Sequence, residues 1–164
     1  MIRIFNNWLT ILFLLSIVAL GSALIAEYFF SLMPCKMCIK QRYPYYFIIL
    51  IIPIFYFFRR TQSIWLQTMN QLAILYGLFY SVWHVGIEQK IFNGPESCSG
   101  IKSVANSLKD LKDQIANQPV VNCSEVSWAI FGISAATINS ILLLLILVFN
   151  SIFIVRNLSW SKKN

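Results

Sequence analysis

Trp8 to Ala26 reads WLTILFLLSIVALGSALIA, 19 residues without an acid or a base. A helix of that length crosses the hydrocarbon of a bilayer. Three more stretches without charge follow. Tyr43–Phe58 carries Pro44 and Pro53. Pro44 suits a helix start, and Pro53 is tolerable inside a bundle. Thr61–Ile87 becomes apolar from about Leu72, and Val126–Val155 contains Ile141–Phe149, which has no polar residue. Composition points the same way. The 164 residues are 58% hydrophobic and 12% charged, whereas soluble domains carry roughly twice that charge. A soluble chain this short could not bury so much apolar surface. The prediction is an all-α integral membrane four-helix bundle, a single domain over residues 1–164, with spans near residues 8–26, 43–58, 70–87 and 128–149.

Lesser signals fit. Gly21, Ser22, Gly77, Gly132, Ser134, Ala135 and Ala136 are small residues of the kind that let membrane helices approach. Trp8, Trp65, Trp83, Trp128 and Trp160 mostly lie near the expected helix ends, as in an interfacial belt. Arg3, the first apolar run and Gly21-Ser22-Ala23 also resemble a leader peptide, but the run is longer than a usual leader core, so a retained helix is expected. The net charge of +7 sits in short groups beside apolar runs, not in a basic stripe. That favours a membrane surface and argues against nucleic acid.

Four spans put both termini on one side. Arg3, Arg59, Arg60, Arg156, Lys162 and Lys163 fall there, with no acid. All four cysteines and all six acids fall opposite, together with seven Lys or Arg, so counting basic residues does not orient the chain. Thiols confined to one face do: that face is expected to be the oxidising one, the periplasm or the outer surface, with both termini cytoplasmic. Its loops run over about residues 27–42 and 88–127. In the second, Ile101, Val104, Leu108, Leu111 and Ile115 recur at helical spacing while Lys102, Lys109, Asp110, Lys112 and Asp113 fall elsewhere. A short amphipathic helix is expected there, flat on the bilayer or docked on protein.

Cys35-Lys36-Met37-Cys38 is a CxxC, a spacing that lets two sulfurs bond and separate without large backbone motion. Lys36, Lys40 and Arg42 surround it, and positive charge stabilises the thiolate that does the chemistry. The motif abuts the second span, within reach of a membrane-dissolved oxidant. Haem attachment would need His where Ile39 stands. A four-cysteine zinc site wants two close pairs, and Cys98 and Cys123 have 24 residues between them, so no metal is expected. For Cys98 and Cys123 a structural disulfide and a redox role are equally open.

Taken together, Pro34-Cys35-Lys36-Met37-Cys38-Ile39-Lys40-Gln41-Arg42-Tyr43-Pro44, His84-Val85-Gly86-Ile87-Glu88, Gly94-Pro95-Glu96-Ser97-Cys98, Val121-Asn122-Cys123 and Phe131-Gly132-Ile133-Ser134 resemble the DsbB family of membrane disulfide-generating oxidases. The related vitamin K epoxide reductase family carries its CxxC late, not early. The resemblance implies a quinone-dependent protein-disulfide oxidoreductase of the bacterial inner membrane. Such an enzyme reoxidises a DsbA-like, thioredoxin-fold periplasmic thiol protein and passes electrons to ubiquinone or menaquinone, supporting disulfide bond formation. By position, Cys98 would be attacked by the partner and Cys123 would exchange with the first-loop pair. Cys35 would receive that exchange, and Cys38 would donate to the quinone. Arg42 would stabilise the Cys38 thiolate and polarise a quinone carbonyl.

His84 is the lone histidine. Its imidazole suits a quinone oxygen or a proton relay, or else an interfacial site satisfied by Glu88 or water. Gln41 is expected at a helix start, and Tyr43, Tyr45 and Tyr46 in the aromatic belt. The competing reading is a membrane scaffold or assembly factor with two structural disulfides. A surface helix over Ile101–Ile115 would limit the second loop's excursion. Replacing Leu108 and Leu111 with Ser should then slow thiol exchange with every cysteine intact; unchanged turnover would count against that restraint.

Overall fold

The computed structural model describes residues 7–61, 63–95, 98, 107–109, 112, 122–126, 128–130 and 132–161. Four long helices dominate: α1 Trp8–Tyr28, α2 Lys36–Phe57, α3 Ile64–Glu88 and α4 Ala135–Ser161. Among the described residues there is also a small antiparallel hairpin, β1 Ala129–Ile130 paired with β2 Ile133–Ser134. Most of the expected surface helix lies outside the described residues; Leu108, one of its apolar positions, is exposed.

Two helices, α1 and the Ala135–Leu158 part of α4, are long and apolar enough to cross a membrane, each with mean hydropathy 2.6. The charge-free part of α2 is shorter than a span, and α3 carries Gln67, Asn70, Gln71 and His84. Helix α2 begins at Lys36, not at Pro44 as the proline suggested, so both prolines lie inside it. An internal proline cannot donate to the carbonyl one turn back. Pro44 instead serves packing: a Cβ on Gly77 would sit 2.5 Å from Pro44 Cγ and 3.2 Å from a Leu143 methyl, so the absence of a side chain lets α2, α3 and α4 close up. Gly21, read from sequence as another such contact, has nothing near it.

The first three helices stop without glycine. Ser31, Arg59 and Lys90 adopt left-handed backbones, with φ of 53°, 52° and 60°. Beside them the N–H groups of Leu32, Arg60 and Ile91 reach back to the carbonyls of Ala26, Phe55 and Gly86. This satisfies carbonyls that the helix ends leave open. Helix α4 starts from the hairpin. Gly132 turns it at φ 81°, and Ser134 Oγ then accepts from the Thr137 N–H at 3.2 Å, an N-cap.

Helix α3 packs on α2 and α4, and α1 packs on α2 but touches α4 lightly. The α1–α4 seam is closed at the terminal end by a buried hydrogen bond from Trp8 Nε1 to Asn150 Oδ1 at 3.0 Å. Trp8 is therefore a core residue, not the belt residue expected from its position, whereas Trp65 is exposed. Leu12, Ile48, Leu66, Ile74, Leu143 and Ile146 fill the core at that end. Gly77→Ala should lower the thermal unfolding midpoint in detergent, with a cost of about 1–3 kcal/mol for forced overpacking. Gly21→Ala should leave it unchanged; equal effects would show that the Pro44 contact is not tight.

Candidate active site

At the cysteine end the loosely packed α1–α4 seam leaves a cavity of about 270 Å³. Ala19, Ser22, Ala23 and Ala26 form the α1 wall, Ala135 and Ala136 begin the α4 wall, and Cys38, Arg42 and Tyr45 project from α2. The small side chains create the space. The stripe Ala19, Ser22, Ala23, Ala26 repeats at helical spacing and was legible as one face of α1, but its partner was not.

Cys35 is the N-cap of α2, with its Sγ accepting from the Cys38 N–H at 3.2 Å. One turn on, Cys38 places its Sγ 2.9 Å from Cys35 Sγ, both as free thiols. Cys35 is buried; Cys38 is half-buried and faces the cavity. The Cys38 thiol donates to Cys35 and holds its pKa well down, to about 4, aided by His84 and the Cys38 backbone N–H against the opposing effect of burial. The same sharing, with burial, pushes the Cys38 thiol up. In the reduced pair the Cys38 backbone N–H and the His84 ring, both against Cys35 Sγ, favour the charge on Cys35. Positive ends of helix dipoles favour the same arrangement.

Arg42 lies one turn beyond Cys38 and lines the cavity. It forms a short ion pair with Glu27 at the end of α1 and points Nη2 at the Ala23 carbonyl, 3.4 Å away. Glu27 was missed from sequence, where it was one acid among six; only the tertiary approach of α1 and α2 selects it. His84 packs behind Cys35. Its Nε2 is 3.5 Å from Cys35 Sγ and its Nδ1 2.8 Å from Gln41 Nε2. Glu88 Oε1 is more distant, 3.9 Å from Nε2, and Glu88 Oε2 accepts from Ser134 Oγ at 2.6 Å. Gln41 is thus no helix-start residue: it is buried in the bundle, one turn inside α2. Tyr45 is not a belt aromatic either. It is buried and donates to Asn139 Oδ1 at 2.6 Å, while Tyr43 and Tyr46 are exposed.

Cys98 and Cys123 form a disulfide. Both are buried in one cluster with Cys35, Met37 and Ile87, so the structure brings all four cysteines together. Phe92 folds back over Gly86, where a Cβ would lie 2.3 Å from its ring, and this tucks the start of the second loop against α3. Cys35, Cys38 and His84 each offer a ligand atom within 4.8 Å of the others. A tetrahedral zinc ion with bonds of about 2.3 Å would hold its two sulfurs roughly 3.8 Å apart. The observed 2.9 Å suits a dithiol about to close.

The profile of the family described as disulfide bond formation protein DsbB matches residues 5–153. The chain belongs to the DsbB family. It is therefore a membrane-associated disulfide oxidoreductase of disulfide bond formation. The uncharacterized protein RP370 of Rickettsia prowazekii (strain Madrid E) is 30% identical over 141 residues, covering 85% of this chain and 81% of that one. No solved structure matches. In this DsbB-family protein the reduced Cys35–Cys38 pair should keep a thiolate, seen by ultraviolet absorbance in a Cys98→Ser, Cys123→Ser background, until the pH falls to about 4. Cys38→Ala removes the strongest donor and should return the midpoint toward the ordinary thiol range; an unmoved midpoint would show that Cys38 is not the donor.

Proposed function

We propose that this protein is a membrane protein-thiol:quinone oxidoreductase that reoxidises a thioredoxin-fold, DsbA-like thiol protein in the periplasm. The observation that carries the reading is that Cys38 and Arg42 share the wall of one cavity, one turn from Cys35 and beside the second cysteine pair. In this reading all four long helices span the bacterial inner membrane. Support comes from the outward faces of α2 and α3. Phe47, Leu50, Ile54, Leu72, Leu75, Phe79 and Val82 are exposed there, more apolar surface than water tolerates. The cysteine loops face the periplasm, and the exposed Arg59, Arg60 and Arg156 mark the cytoplasmic end.

The cavity fits a quinone head. It is mostly apolar, close to the lower end of small-ligand sites at roughly 300 Å³, and has a fixed cation on one wall. Cys38, Arg42 and Tyr45 would hold ubiquinone or menaquinone there, and the bound ring supplies a two-electron sink that also takes two protons. The steps on the chain itself are exchanges. The partner's thiolate attacks Cys98, the Cys98–Cys123 bond breaks, and Cys123 leaves as a thiolate. Cys123 attacks Cys35 of an oxidised Cys35–Cys38 pair, and Cys38 leaves as a thiolate beside Arg42. The partner's second thiol closes its own disulfide and frees Cys98, which attacks Cys123 and releases Cys35. Two electrons then rest on Cys35 and Cys38 with Cys98–Cys123 closed again, the state described above. Cys98 is buried, 3% exposed, so the partner must first lift the second loop. Arg42, braced by Glu27, stabilises the Cys38 thiolate when it is the leaving group.

The test is quinone reduction by purified protein given a reduced thioredoxin-fold donor, beside Cys38→Ser. Catalytic turnover in the wild type and none in the variant is expected. Folded protein with its disulfide intact that turns over with no donor and neither quinone class would sink the reading in favour of a scaffold with structural disulfides.

A further inference from the structure

Four polar side chains of the cavity wall, Tyr45, Asn139, Gln41 and His84, run in line to Cys35. Tyr45 Oη is 2.6 Å from Asn139 Oδ1, and Asn139 Nδ2 is 2.9 Å from Gln41 Oε1. Gln41 Nε2 is 2.8 Å from His84 Nδ1, and His84 Nε2 is 3.5 Å from Cys35 Sγ. A side-chain amide donates at one end and accepts at the other, so the orientation of one amide dictates that of the next.

Counting donors orients the first amide. Asn139 Nδ2 carries two hydrogens and faces two acceptors, Gln41 Oε1 and Ser81 Oγ at 3.2 Å. Ser81 can accept because its own hydrogen goes to the Ala136 carbonyl at 3.1 Å. Turned round, Asn139 would set its oxygen against Ser81 Oγ, whose hydrogen is already given, and would take from the Tyr45 hydroxyl its acceptor. With Asn139 so placed, Gln41 must accept at Oε1 and donate at Nε2.

We infer that Asn139, acting through Gln41, holds His84 as the neutral tautomer with its hydrogen on Nε2, so that the ring donates to Cys35 and does not take the Cys35 proton. His84 Nδ1 is occupied as an acceptor. Protonating it would require Gln41 to turn, and then Asn139. The charged and titratable groups around the ring are Cys35 at the α2 N-terminus, Cys38, Arg42 and Tyr45 on α2, and Glu88 on α3, and the Cys123 backbone shares the ring hydrogen with Cys35. Cys38, half-buried on the cavity wall, is the sulfur open to a ligand, while Cys35 is buried against the ring. Asn139 and Gln41 are positioning residues for that division of labour. The inference takes the meaning of Cys35 from the oxidase reading, but its test needs neither quinone nor partner.

His84 is the only histidine, so histidine labelled at its ring nitrogens gives one assignable pair of resonances in the reduced full chain. The wild type should show a protonated Nε2 and a bare Nδ1. Asn139→Asp has no N–H to give Gln41; Gln41 turns to donate to the new carboxylate, and the ring hydrogen moves to Nδ1. The Cys35 thiolate then loses a donor, and its titration midpoint rises by roughly one pH unit, a tenfold loss. Tyr45→Phe keeps the two-acceptor side of Asn139 and should keep the wild-type tautomer. A wild-type ring protonated on Nδ1 overturns the inference, and that spectrum decides even where a variant does not fold. So does a folded Asn139→Asp protein that keeps its hydrogen on Nε2. Failed quinone turnover with the expected tautomers would count against the oxidase reading alone.

Discussion

A buried hydrogen bond between residues 142 positions apart, Trp8 Nε1 to Asn150 Oδ1, decides how the bundle can open. It ties α1 to α4 at the terminal end, where Asn150 also gives its amide to Gln71 Oε1 at 2.6 Å. Side-chain hydrogen bonds of this kind are individually worth only about 1 kcal/mol. Their value here is positional. With one end pinned and small residues on both walls at the other, the seam between the first and last helices becomes a cleft. The cleft opens where the cysteines are.

The rest of the site follows from helix ends meeting at that cleft. The end of α1 brings Glu27, the start of α2 brings Cys35, Cys38 and Arg42, the end of α3 brings His84 and Glu88, and the start of α4 brings Asn139. Each helix end is held by its neighbour: Arg42 by Glu27, Glu88 by Ser134, Gln41 by Asn139. The CxxC therefore sits at the positive end of a dipole on a braced frame.

Asymmetry between the two sulfurs of the CxxC follows from the same geometry. Cys35 lies at the cap, where backbone and ring donors converge on it, while Cys38 lies one turn up with its side chain in the cleft. Charge collects at the first and access to the cavity belongs to the second. A pair built that way leaves one sulfur open to the cavity while the other stays shielded.

Apolar runs, the absence of charge within them and the confinement of all cysteines to two loops were readable in the chain because they depend on composition and local spacing alone. They determined the helical class, the number of long helices and the identity of the four sulfurs. Gln41, Tyr45 and Asn139 show where that reading ends. Each is an ordinary polar residue in an apolar stretch, and nothing nearby in sequence distinguishes an outward-facing tyrosine from one that bonds an amide 94 positions away. Trp8 was misplaced for the same reason, and the start of α2 because a proline permits a helix start without requiring one. Which residues face each other across helices was decided only by tertiary packing, through Gly77 against Pro44 and Trp8 against Asn150. Contacts between distant positions leave no trace in the periodicity of either strand of sequence.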